Sequence, residues 1–203
     1  MPALLTDTPV DQQTAATAQP PRKRWTRDEC AAMESVGLDL TRYELVEGDL
    51  INKMSKNWPH VAAVALLHGW LLRVFGIGFV VQEGPIDVTP QDNPTNEPEP
   101  DLLVLKRQIK EFFFAHPQPT DIHLAVEVAD TTLTFDRKTK ASLYARAGII
   151  EYWVVDIRER KLIVHRDPQN GAYDSVAVYD ETESVAPLGA PGQEFPVSTA
   201  FQS

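Results

Sequence analysis

Residues 124–128 read Leu-Ala-Val-Glu-Val, and this short stretch limits the fold more than any other. An apolar run of this length suits a strand covered on both faces. Alternation sets Leu124, Val126 and Val128 on one face and Ala125 and Glu127 on the other. Glu127 is the odd member, because a carboxylate inside such a strand has to be paired, protonated or bound to a metal. A wet strand end is the alternative setting for it.

The segment that follows has helical spacing. At roughly 100° per residue, Asp136, Lys140, Leu143, Tyr144 and Ala147 share one stripe, and Lys138, Ser142 and Arg146 share the opposite one. Lys140 therefore points inward, where a lysine needs a negative partner: Glu127, Asp101 or a bound phosphate. An ion pair with Asp136, four residues back on the same helix, is the competing account.

Asp101 completes the group. Pro98 and Pro100 hold the approach extended, and Asp101-Leu102-Leu103-Val104-Leu105 reads as a second central strand that opens on its carboxylate. Two carboxylates, a backbone carbonyl and waters form an oxygen-rich site suited to Mg²⁺ or Mn²⁺.

At this point the residues resemble a known family. Pro100-Asp101, then Glu127 followed by a lysine, is similar to the PD-(D/E)xK nuclease motif. The surroundings resemble the bacterial Uma-type family of restriction-endonuclease-like proteins: Tyr43 to Gly48, His60 opening a helix, Val126-Glu127-Val128, Asp136 to Tyr144, and Glu151 to Asp156. The shared pieces span about residues 26–168. In one place the chain departs from the motif: Ala129 stands at the strand position of the lysine, so the resemblance implies that Lys140 on the helix substitutes for it.

The resemblance implies an α/β fold with a restriction-endonuclease-like core, a mixed central β-sheet flanked by helices. It implies an endonuclease that hydrolyses DNA phosphodiester bonds with Mg²⁺ or Mn²⁺ held by Asp101, Glu127 and the carbonyl of Val128. Lys140 would orient water or stabilise negative charge, Asp136 would hold Lys140, and Tyr144 would support the lysine or bond a phosphate. Glu44 and His60 are further residues that the resemblance brings toward the metal or substrate, with a surface glutamate and a structural histidine as the alternatives. A non-catalytic binding or assembly module that keeps the fold is the rival reading.

Composition bounds these expectations. The 203 residues, 43% hydrophobic and 24% charged, suit one domain, expected over 25–203 behind a disordered tail at 1–24 rich in Pro, Thr, Gln and Ala. A formal charge of −10 runs against a simple nucleic-acid binder, since phosphate contacts normally need a basic footprint. Lys106-Arg107, Lys110, Arg137-Lys138 and Arg158 to Lys161 are the basic clusters that could line one face. Only one cysteine is present, the N-terminus lacks a signal-peptide pattern, and no apolar run reaches the ~18 residues of a membrane span. A cytoplasmic location is expected, and cleavage of both DNA strands would favour a homodimer.

The remaining expectations are local. Thr26 to Glu29 matches a capping box for a helix from Arg27 to about Ser35, ended by Gly37. Tyr43 to Met54 reads as a hairpin turning at Glu47-Gly48-Asp49, and Asn57-Trp58-Pro59 opens a core helix through about Phe75. Gly78 to Val88 reads as a strand pair or one long strand, and Gln91 to Glu99 as a polar loop. Glu151 to Asp156 and Leu162 to Arg166 form a hairpin, Tyr173 to Tyr179 adds an edge strand, and the last stretch, rich in Pro, Gly and Ala, reads as a loop ending in the apolar anchor Phe195 to Phe201.

Overall fold

The computed structural model describes residues 21–53 and 57–201. Residues 1–20 of the expected tail and Met54 of the expected hairpin lie outside the described residues.

The first helix, α1 (Arg27–Ser35), starts where its capping box sets it. The Thr26 hydroxyl accepts from the Glu29 amide, and the Glu29 carboxylate accepts from the Thr26 amide at 3.0 Å. The hairpin of β1 (Tyr43–Val46) and β2 (Asp49–Asn52) turns through Glu47 and Gly48, both at positive φ, the geometry that a two-residue hairpin loop demands. The long helix α2 (Trp58–Phe75) is capped by Asn57, whose side-chain oxygen accepts from the His60 amide at 3.0 Å.

Six strands then form one mixed sheet: β3 (Val80–Gln82), β4 (Leu102–Leu105), β5 (Ile122–Ala129), β6 (Glu151–Asp156), β7 (Lys161–Gln169) and β8 (Ala172–Tyr179), adjacent in that order. Every neighbouring pair is antiparallel except β5 and β6. A parallel pair needs a crossover connection. Here it is a helix in three parts: α3 (Leu133–Phe135), a π-helical turn (Asp136–Lys140) and α4 (Ala141–Ala147), ended by Gly148 in the left-handed region.

The alternation read in β5 separates two cores. Leu124, Val126 and Val128 pack with Leu67 and Leu71 of α2 and with Phe195 and Phe201 near the C-terminus. Ala125 and Ala129 pack on the other side with Leu143 and Tyr144 of α4. Leu67 and Leu71 are fully buried, so truncating either to alanine is expected to cost about 2–5 kcal/mol. The C-terminal segment is latched by Glu151, which accepts from Arg166, from the Trp153 indole and from the Leu188 amide. Trp153 belongs to this core and is wholly buried.

Three local expectations need correction. The strand expected over Gly78 to Val88 is confined to Val80–Gln82, because Glu83 takes a positive φ and Pro85 has no amide hydrogen to give a ladder. Ile86 and Val88 are nonetheless buried in the second core without strand pairing. The helix after β5 is not uniformly α-helical: the Ala141 amide reaches back to the Asp136 carbonyl, which also accepts from the Tyr152 hydroxyl at 3.2 Å. The terminal stretch is more than a loop, since β9 (Ser184–Val185) and β10 (Phe195–Pro196) pair in a second small sheet.

Candidate active site

A pocket of about 320 Å³ opens where the β1–β2 hairpin, the first turn of α2, the C-terminal end of β5 and the π turn converge; Glu44, His60, Asp101, Glu127, Asp136 and Lys140 are among its lining residues. All seven side chains singled out in the sequence lie here, with Tyr144 just behind the pocket wall against Glu127.

Each is placed by a different element. Asp101 sits one residue before β4, and its Oδ2 accepts from the Val128 amide of the neighbouring strand at 2.8 Å. That bond fixes the aspartate beside the Glu127–Val128 peptide. In an extended strand a residue's N–H and C=O leave on the same side, so the Val128 carbonyl is also directed toward Asp101. His60 Nε2 faces the same Oδ2 at 3.4 Å, while its Nδ1 is buried without a hydrogen-bond partner among the described residues.

Lys140 comes from the opposite side. Its Nζ lies 2.8 Å from Glu127 Oε1 and 2.9 Å from Glu44 Oε1, with all three residues buried. Lys138 is exposed on the outer face, as the helical spacing implies. The partner differs from the one expected for Asp136: this carboxylate does not pair with Lys140 but accepts from the Thr132 hydroxyl at 2.6 Å. The π turn leaves both side chains on the inner side, and π turns recur at functional sites.

Two other roles change. Tyr144 donates to Glu127 Oε1 at 3.1 Å and is wholly buried, so it supports the glutamate and cannot reach a phosphate in the pocket. Glu44 has both oxygens engaged, Oε1 by Lys140 and Oε2 by the Glu99 amide at 3.1 Å, which makes it a partner of the lysine. Glu99 itself pairs with Lys53 at 2.6 Å. Thr132 was not singled out in the sequence, although its position one helical turn before Asp136 is a usable signal.

The electrostatics follow from burial and from an excess of carboxylates. Burial pushes the Glu127 carboxyl well above its usual range; Asp101, Asp136 and Glu44 push it further, against the opposing pull of Lys140. Burial likewise pushes Asp136 up to about 6, opposed by Lys140 and the Thr132 hydrogen bond. For Lys140, burial would favour the neutral amine, but Glu127, Glu44 and Asp136 outweigh it and hold the ammonium charged above its ordinary range. Asp101 goes the other way: burial would raise it, yet the His60 contact, the Val128 amide and Lys140 keep it below the usual carboxylate range. Four carboxylates thus surround one ammonium, a balance that a proton or a cation can restore.

Among the described residues no group of three or more His, Cys, Asp or Glu side chains is arranged to hold a metal ion. Among the described residues the pocket thus offers no closed cage of such side chains. Mg²⁺ does not require one, because it is commonly held through one or two carboxylates and keeps several waters. The donors fit that requirement: among the described residues both hydrogen bonds accepted by Glu127 end on Oε1, and Glu127, Asp101 and Val128 line the same pocket.

The arrangement of carboxylates, strand and helix invites comparison with known proteins. The family described as "Uma2: Putative restriction endonuclease" matches residues 28–198. The chain belongs to the Uma2 family. A crystal structure titled as that of a "putative nuclease belonging to DUF820" from Anabaena variabilis ATCC 29413 has the same fold as this Uma2 chain. The TM-score is 0.63, with 87% of this chain and 97% of that chain covered at 18% identity. No curated protein matches the chain. The mixed sheet flanked by helices and the family assignment agree with the restriction-endonuclease-like fold expected from the motif. Among the described residues, no helix of the Uma2 chain is long and apolar enough to cross a membrane.

Proposed function

We propose that this Uma2 protein is an endonuclease of the cytoplasm that hydrolyses DNA phosphodiester bonds with Mg²⁺ or Mn²⁺. The observation that carries this reading is the meeting of Lys140 with Glu127 beside Asp101, reached from the helix although Ala129 stands at the strand position of the motif lysine. Ala129 is fully buried on the same face as Glu127, so the helical ammonium serves the place a strand lysine would serve.

Asp101, Glu127 and the Val128 carbonyl would hold the ion, which supplies Lewis acidity toward the scissile phosphate and acidifies an attacking water. The protein does the rest. Val128 N–H and His60 keep Asp101 ionised and oriented. Lys140 remains protonated, so it acts as a donor that orients water or stabilises charge developing on the phosphate, and not as a base. Tyr144 and Lys140 together fix one oxygen of Glu127 and thereby aim the other. Glu44 holds Lys140 from the far side.

A second reading is a binding or assembly module that keeps the nuclease fold; the saturation of Lys140 by two carboxylates favours it. One experiment separates the two: purified wild type, Asp101→Asn and Glu127→Gln are incubated with DNA and Mg²⁺ or Mn²⁺. Cleavage by wild type alone supports the nuclease. Equal cleavage by all three points to a contaminant, and no cleavage by wild type across single- and double-stranded substrates supports the module.

A further inference from the structure

We propose that Tyr152 is a positioning residue of this site: its hydroxyl holds the π turn that ends on Lys140, and its ring backs Tyr144, so that both donors converge on one oxygen of Glu127. The inference rests on the nuclease reading and adds a residue that none of its steps uses.

The convergence depends on the turn. Lys140 Nζ and the Tyr144 hydroxyl meet the same Oε1 of Glu127, at 2.8 and 3.1 Å, while Asp136 lines the same pocket. Around a regular α-helix, Asp136 and Tyr144 would drift apart by about 80°. A π turn spends an extra residue on its turn, which takes up part of that drift and keeps all three side chains on the inner side. Such turns are rare, so this one needs a contact that holds it.

Tyr152 supplies that contact from another element. It lies on β6 opposite Ala125 of β5, on the face of the sheet that carries Glu127. Its hydroxyl donates at 3.2 Å to the Asp136 carbonyl, the same oxygen to which the Ala141 amide reaches back across the turn. A carbonyl has two lone pairs, and here each has a donor. Without the hydroxyl, this oxygen is free to swing toward the Lys140 amide, its partner in an α-helix. The Tyr152 ring is wholly buried and stands edge-on to Tyr144, with centroids 5.0 Å apart and planes at 78°; it also packs against His165 and Tyr173. One side chain thus touches both the turn that carries Lys140 and the ring that carries the second donor.

Tyr173 is a matched control. It is buried, and its hydroxyl donates at 2.9 Å to the Ile149 carbonyl, just beyond the other end of α4. Removing either hydroxyl leaves one main-chain carbonyl short of a donor, but only Tyr152→Phe touches the π turn.

The test compares wild type, Tyr152→Phe and Tyr173→Phe in steady-state cleavage of DNA with Mg²⁺ and, without metal, in exchange of the Ala141 amide followed by NMR. Denaturant titration should show both variants folded, with similar losses of stability. Tyr152→Phe should lower kcat by about five- to a hundredfold, the scale of a slightly misplaced catalytic group, with KM within about twofold of wild type. Its Ala141 amide should exchange about three- to tenfold faster than in wild type, and Tyr173→Phe should leave both kcat and that amide unchanged. Wild-type turnover in Tyr152→Phe, a loss confined to KM, an equal loss of kcat in Tyr173→Phe, or an Ala141 amide no faster than in Tyr173→Phe overturns the inference. If wild type cuts nothing, the nuclease reading fails, and the Ala141 exchange alone decides whether Tyr152 holds the turn.

Discussion

Lys140 reaches Glu127 at 2.8 Å from a helix that exists because β5 and β6 run parallel. Both side chains are buried, so each is the condition for the other's presence: removing one partner of such a pair leaves an uncompensated charge and costs about 3–5 kcal/mol.

Lys140→Met is therefore expected to act twice. It keeps much of the aliphatic stem, yet it leaves Glu44 and Glu127 facing one another without a cation, so denaturant titration at neutral pH should show a loss of stability. Turnover on DNA should fall by about tenfold to a thousandfold, a barrier increase of roughly 1.4–4 kcal/mol. Adding Glu44→Gln should recover part of the stability and none of the turnover. Lys138→Ala should leave both unchanged, and full activity of Lys140→Met would remove the lysine from the mechanism.

Metal binding should displace protons. The Glu127 carboxyl is raised by burial and by its acidic neighbours, so an ion that takes its oxygen competes with a proton for the same charge. Calorimetry of Mn²⁺ binding in buffers of different ionisation enthalpy should show net proton release near neutral pH. Asp101→Asn and Glu127→Gln should each weaken binding with the fold intact. Unchanged affinity in both variants rules out this pair as ligands.

Asp136 gives a pH dependence whose sign is fixed. Its carboxyl is near 3.8 when unfolded and about 6 when folded, so its stabilising contribution is full below 3.8 and is lost as pH rises through 6. The loss is at most roughly 3 kcal/mol. Asp136→Asn should flatten that part of the stability profile and be more stable than wild type at pH 8. Glu127 is shifted in the same direction, so some slope should remain. A wild type equally stable at pH 5 and pH 8 would contradict the upward shift that burial gives these carboxyls.

Much of this site was legible because period and chemistry agreed. The alternation in Leu124 to Val128 gave both the two cores and the side on which Glu127 lies, and the helical spacing separated Lys140 from Lys138. Short-range signals also held at Thr26 and Asn57, where a cap is decided by a few neighbouring atoms. What escaped depends on contacts made across the chain. The partner of Lys140 could be read as Asp136 because that carboxylate is four residues away, whereas Glu44 arrives from a hairpin of its own. The π turn carries no compositional mark, being tied to the Tyr152 hydroxyl on another element. The strand expected through Val88 failed at Glu83 to Pro85, where backbone geometry overrode an apolar pattern that burial alone explains.

The β1–β2 hairpin that supplies Glu44 forms its own two-stranded sheet, which gives the pocket an order of assembly. Lys140 and Tyr144 find Glu127 across only 13 and 17 residues, so β5, its helix and β6 close over short loops, which are the least costly in entropy. Glu44 closes a far longer loop and meets an ammonium already held by Glu127. The hairpin is thus expected to be the last part of the pocket to dock and the first to leave. Native-state hydrogen exchange should show amides of Tyr43 to Asn52 opening at lower free energy than those of Ile122 to Ala129, with Glu44→Gln widening the gap.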